Sequence, residues 1–99
     1  MENEKLKNEK LFNMSGKTVI ITGAAGLLGS QYAEGLSGAG ANVVLADIDY
    51  KTCKQISSEL SDKNNSENLA IKLDLTNKKS VQEMVKKAKK QFSSIDVLI

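Results

Sequence analysis

KTVIITGAAGLLG, Lys17 to Gly29, decides how this chain folds. Lys17 to Thr22 (KTVIIT) is a β-branched run bounded by Gly16 and Gly23, the pattern of a buried strand. A glycine-rich turn, Gly23 to Gly29, follows at once. Leu28, Tyr32, Ala33 and Leu36 then recur at helical spacing, and Gly38 and Gly40 supply the stop. A buried strand that passes through a glycine turn into a helix opens a βαβ unit.

Downstream, the same alternation continues. Asn42 to Ala46 (NVVLA) reads as the second strand, ending at Asp47, and Cys53, Ile56 and Leu60 give the next helix its apolar stripe. Ser61 to Asn68 reads as a polar loop, and Leu69 to Leu73 (LAIKL) as the third strand, ending at Asp74. Thr76 is the expected N-cap of a third helix, whose apolar stripe is Val81, Met84, Val85, Ala88 and Phe92. Lys78, Lys79, Lys86, Lys87, Lys89 and Lys90 occupy its other face, the pattern of a solvated surface. Val97, Leu98 and Ile99 form a fourth apolar run, of the kind that is buried on both faces of a sheet. Continuous apolar strands alternating with helices predict an α/β fold with a parallel sheet. Right-handed crossovers place the strands in the order 3-2-1-4, the first half of a doubly wound, Rossmann-type sheet plus the strand that opens the second half. Met1 to Lys10, polar and aperiodic, is expected to be a mobile tail before a domain that spans residues 11–99, with Leu11, Phe12 and Met14 as its first apolar anchors.

Composition narrows the function. The 99 residues hold 14 Lys and no Arg against 12 acids, a net charge of +2. Without Arg the slight positive balance argues against nucleic-acid binding. One cysteine, Cys53, and no His remove an intrachain disulfide, nearly all zinc patterns and any His-based triad. No export signal or bilayer-length apolar stretch is present, so no membrane role is expected and the default compartment is the cytoplasm. The sequons at Asn13 and Asn64 are then chance matches.

The turn TGAAGLLG, Thr22 to Gly29, carries the chemistry. Gly23 suits a positive φ, Gly26 removes a side chain that would hold a pyrophosphate off the backbone, and Gly29 allows the helix to pack closely. N–H groups at the helix start, with the positive end of its dipole, attract phosphates. Asp47 lies 24 residues beyond Gly23, where a carboxylate can accept from both hydroxyls of an adenosine ribose and repel a 2′-phosphate. None of Ala24, Ala25, Ile48 and Asp49 offers a positive charge to offset it, so NAD is expected over NADP. Asp74 reads as a contact to an adenine edge, or as an ordinary turn Asp before a helix.

These segments resemble the short-chain dehydrogenase/reductase family. LFNMSGKTVIITGAAGLLG is similar to its opening strand and glycine motif, and NVVLADID to its second strand with the ribose-binding acid. KLDLT is similar to its adenine-contacting segment, and SIDVLI to the strand that runs into an Asn-Asn-Ala-Gly turn. The resemblance spans Leu11 to Ile99 and implies cofactor contacts at Gly23, Gly26, Leu28, Gly29, Asp47, Ile48, Asp74 and Leu75. It also implies hydride transfer between the nicotinamide and an alcohol or carbonyl of a small-molecule substrate, in a homo-oligomer. Leu27 stands where the shorter branch of the family usually has Gly; the TGxxGxxG spacing is common among sugar-nucleotide epimerases and dehydratases. Three readings stay open: a short-chain oxidoreductase, a sugar-nucleotide enzyme, and a non-catalytic dinucleotide-binding module. The family's Ser and Tyr-x-x-x-Lys lie well past its fourth strand, so the chain is expected to be the N-terminal part of a longer enzyme and inactive alone.

Three local matches are decoys. Tyr50 and Lys54 reproduce Tyr-x-x-x-Lys but sit after the second strand, at the adenosine end. Ser15 to Thr18 (SGKT) copies the end of a P-loop but precedes its strand and has Leu11 at the upstream Gly position. Cys53 reads as a small packing residue on the second helix. The sequence therefore presents no catalytic and no metal-ligating set.

Overall fold

The computed structural model describes residues 13–99, and the expected tail at Met1 to Lys10, with Leu11 and Phe12, lies outside them. Seven elements alternate: β1 (Thr18–Thr22), α1 (Leu27–Gly38), β2 (Asn42–Asp47), α2 (Tyr50–Asn64), β3 (Asn68–Lys72), α3 (Lys78–Phe92) and β4 (Val97–Leu98). The sheet order is β3-β2-β1-β4, and every pairing is parallel. That is the α/β, Rossmann-type order expected from the crossovers.

Strand alternation divides the core into two layers. Val19, Ile21, Val43 and Leu45 face α1 and α2, where they meet Ala33, Cys53 and Leu60. Ile20, Val44, Ala46 and Ile71 face α3, where they meet Met84 and Ala88. β1 and β2 are thus buried on both faces, which explains their unbroken apolar runs. Val81, Val85 and Phe92 complete the stripe of α3 as expected, and its six lysines are exposed.

Three local expectations are corrected. The N-cap of α3 is Asn77, whose Oδ1 accepts from the N–H groups of Lys79 and Ser80. Thr76 lies one residue before the cap and turns its hydroxyl the other way, donating to Asp74 Oδ1 at 2.6 Å. In α1 the expected stripe holds only in part: Ala33 is buried and Leu36 packs against the core, but Leu28 is 60% and Tyr32 46% exposed, and Ser37 is buried in their place. Small side chains let this helix approach the sheet closely, and a search for large apolar residues overlooks them. α2 runs on to Asn64, shortening the expected polar loop, and β3 starts at Asn68 and ends at Lys72, one residue earlier at each end than expected. The apolar run Val97 to Ile99 lies at the unpaired sheet edge expected from the 3-2-1-4 order, with Leu98 64% exposed.

The stops have specific causes. The last turn of α1 closes with Ala41 N–H donating to Leu36 O and Gly40 N–H to Ser37 O, with Gly40 at φ +98°. That Schellman pattern requires the left-handed conformation glycine tolerates. β4 is held by Asp96, whose Oδ2 accepts from Thr18 N–H at 2.8 Å, and by Thr22, whose N–H and hydroxyl both donate to Ile99 O.

Candidate functional site

The carboxyl ends of β1, β2 and β3 open onto one cleft of about 320 Å3, lined by Gly23, Ala46, Asp47, Ile48, Leu73, Asp74 and Leu75. Five of the expected site residues meet there: Gly23, Asp47, Ile48, Asp74 and Leu75. Gly26, Leu28 and Gly29 do not line it; they form the end of the glycine turn and the first turn of α1. Ala46 and Leu73 are lining residues the sequence reading missed. The signal for them was position: each immediately precedes an Asp.

The glycine turn is built as the spacing suggested, with one refinement. Gly23 adopts φ +67° and its N–H-to-carbonyl turn closes with Gly26 N–H donating to Gly23 O at 3.1 Å. Gly26 is the N-cap of α1 and provides no side-chain cap. A Cβ on Gly29 would stand 2.4 Å from Gly23 O and 2.9 Å from Ala24 Cα. Gly29 therefore permits close packing against the turn itself. Ser30 N–H donates to Gly26 O, whereas the N–H groups of Leu27, Leu28 and Gly29 meet no acceptor among the described residues. Three open donors at the positive end of a 12-residue helix form a cradle suited to an anionic oxygen.

Asp47 ends β2 beside this turn. Its Oδ2 accepts from Ala25 N–H at 3.1 Å and its Oδ1 from Asp49 N–H at 3.0 Å. A carboxylate offers about four acceptor sites, so roughly two remain for hydroxyl donors in the cleft. Asp74, across the cleft, is held in a turn: its Oδ1 accepts from the N–H and the hydroxyl of Thr76. Those two bonds hold its carboxyl below the usual aspartate range. Asp74 is thus a turn residue that also lines the cleft. Ile48 and Leu75 are 59% and 68% exposed and supply apolar walls beside the two carboxylates.

The remaining sequence features lie elsewhere. Cys53 is buried in the core of α2; desolvation, then the charges of Asp47 and Asp49, push its thiol up to about 11. Tyr50 starts α2 and is exposed, and the described residues contain no cluster of three side chains able to hold a metal ion. No helix among them is long and apolar enough to cross a membrane.

The chain is similar to known proteins over most of its length. The short chain dehydrogenase family profile matches residues 17–99. The NAD-dependent glycerol dehydrogenase of Listeria innocua is 37% identical over 90 residues, covering 91% of this chain and 34% of that protein. A short chain dehydrogenase/reductase from Burkholderia phymatum in complex with NAD superposes with a TM-score of 0.81 at 28% identity, over 87% of this chain and 30% of that one. An alcohol dehydrogenase from Thermococcus sibiricus complexed with 5-hydroxy-NADP gives a TM-score of 0.80 at 29% identity, over 83% of this chain and 35% of that one. The chain spans about a third to a half of the length of the curated relatives it matches.

Proposed function

The chain belongs to the short chain dehydrogenase family, and from that premise we propose that it is the NAD-binding portion of an oxidoreductase acting on an alcohol or carbonyl compound. The observation that carries the cofactor choice is Asp47, a carboxylate at the end of β2 that lines the cleft with acceptor sites to spare. Relatives bind either cofactor, as the NAD and 5-hydroxy-NADP complexes illustrate, so the choice falls to residues of this chain. A negative group facing the ribose accepts its two hydroxyls and repels a 2′-phosphate.

In this reading the adenine lies between the apolar walls of Ile48 and Leu75, near Asp74, and the ribose hydroxyls bond Asp47. The diphosphate rests on the open N–H groups of Leu27, Leu28 and Gly29, with Gly23 and Gly26 keeping the approach clear. The bound cofactor supplies the hydride. The residues of this chain bind and orient it, and the proton-transferring Ser and Tyr-x-x-x-Lys belong to the rest of the whole enzyme. Residues 11–99 are then the N-terminal part of a dinucleotide-binding domain, preceded by a tail at 1–10. A cytoplasmic homo-oligomer with a small-molecule substrate belongs to the same reading. The family match favours alcohol or carbonyl chemistry over the sugar-nucleotide alternative suggested by Leu27.

Calorimetric titration of the 99-residue chain with NAD and NADP tests the proposal. NAD is expected to bind at least about tenfold more tightly. Equal or tighter binding of NADP would overturn the cofactor choice, and binding of neither would overturn the cleft assignment.

A further inference from the structure

We infer that Asp47 is also a positioning residue: its carboxylate holds the glycine turn in shape before any ligand arrives. This deepens the dinucleotide reading above and rests on it only for the identity of the ligand. The turn has two ties to the end of β2. Ala24 N–H donates to Ala46 O at 3.3 Å, and Ala25 N–H donates to Asp47 Oδ2 at 3.1 Å. The second is the shorter, and it spans 22 residues of sequence. Packing holds the turn at Ala24, which is buried in the core, and the Asp47 bond adds a tie one residue further on, at the Ala25 peptide that leads into α1.

The consequence concerns where donors point. Ala25 N–H is bound by Asp47 and Gly26 N–H by Gly23 O, which fixes the peptide planes that lead into α1. The next three N–H groups, of Leu27, Leu28 and Gly29, are the open ones. The other oxygen of Asp47 takes Asp49 N–H, so the carboxylate is itself held from the α2 side. A single side chain thus links the sugar end of the cleft to the anion cradle. Truncating it to admit a 2′-phosphate would remove the acceptor and loosen the turn, and binding of both cofactors would suffer.

The test compares Asp47→Ala with Asp47→Asn, which keeps an acceptor oxygen. Amide hydrogen exchange is followed in the ligand-free chain, and inorganic pyrophosphate, a probe with no ribose, is titrated by calorimetry. In Asp47→Ala the Ala25 and Gly26 amides should exchange about tenfold faster while those of β1 and β2 keep their protection. Pyrophosphate affinity should fall about fivefold. In Asp47→Asn both should stay within about twofold of the parent. Unchanged Ala25 exchange in Asp47→Ala, or loss of its protection in a folded Asp47→Asn, overturns the inference. If Asp47→Ala does not fold, the unmodified chain decides: the Ala25 amide shift must follow the titration of the Asp47 carboxyl carbon, and a flat response overturns it. Should exchange respond as expected while the parent binds neither pyrophosphate nor NAD, positioning stands and the dinucleotide reading falls.

Discussion

A Cβ added to Gly29 would lie 2.4 Å from the carbonyl oxygen of Gly23, closer than any real methyl approaches a backbone atom. The two glycines are therefore required for different reasons. Gly23 needs a left-handed backbone at φ +67° in open space, Gly29 needs the absence of a side chain against backbone that cannot swing aside, and Gly26 meets a milder 3.3 Å approach to Gly23 O. Gly29→Ala should cost about 2–3 kcal/mol, even after the helical preference of Ala is credited. Gly23→Ala should cost about 1 kcal/mol through backbone strain, and Gly26→Ala about 0.5 kcal/mol as a poorer N-cap. Urea denaturation of the three variants checks the order; a Gly29→Ala protein as stable as the parent would contradict the packing described.

The cap of α3 can be located by stability. Asn77→Ala removes the acceptor for the Lys79 and Ser80 N–H groups and should cost about 1 kcal/mol. Thr76→Ala touches no helix donor and should cost less. The reverse ranking in denaturant melts would restore Thr76 as the cap.

Two exposed carboxyls make stability depend on acid. The hydroxyl and then the N–H of Thr52 hold Asp49 below its usual range, and Thr76 does the same for Asp74. Their folded-state values lie below the unfolded ones, so their contribution is complete above about pH 4 and fades as pH falls through the folded values. Thr76→Ala should move the Asp74 titration upward and leave Asp49 in place, as read from carboxyl carbon shifts by NMR. An unmoved Asp74 would discount the hydroxyl bond.

Cys53 should be chemically silent. It is 0% exposed, and its thiol is raised to about 11. At pH 8 the thiolate is on the order of one in a thousand, and reagents cannot reach it. A disulfide reagent should leave the native chain unlabelled and label it fully in denaturant. Fast native labelling would mean that α2 opens readily.

Much of this architecture is legible along the chain because its causes are local. The runs at Val19 to Ile21 and Val43 to Ala46 are apolar throughout since both faces of β1 and β2 are covered, and helical spacing marks α3 from Val81 to Phe92. The glycine turn and the acids at 47 and 74 stand out by spacing alone. Errors arose where a side chain had two possible partners. Thr76 could cap α3 or bond Asp74, and only the folded turn assigns it to Asp74. Leu28 and Tyr32 looked like a buried stripe, yet α1 turns its small residues inward because the sheet backbone is close.

The sequence by itself determined the element order, the 3-2-1-4 sheet and the residues at the carboxyl edge, for hydrophobic period and chain handedness act over a few residues at a time. The tertiary structure alone decided that Asp47 reaches Ala25, that Gly29 presses on Gly23, and that α1 turns Ser37 inward and Leu28 outward. Hydrogen bonds and close contacts depend on distances of a few tenths of an ångström between segments, which residue spacing does not encode.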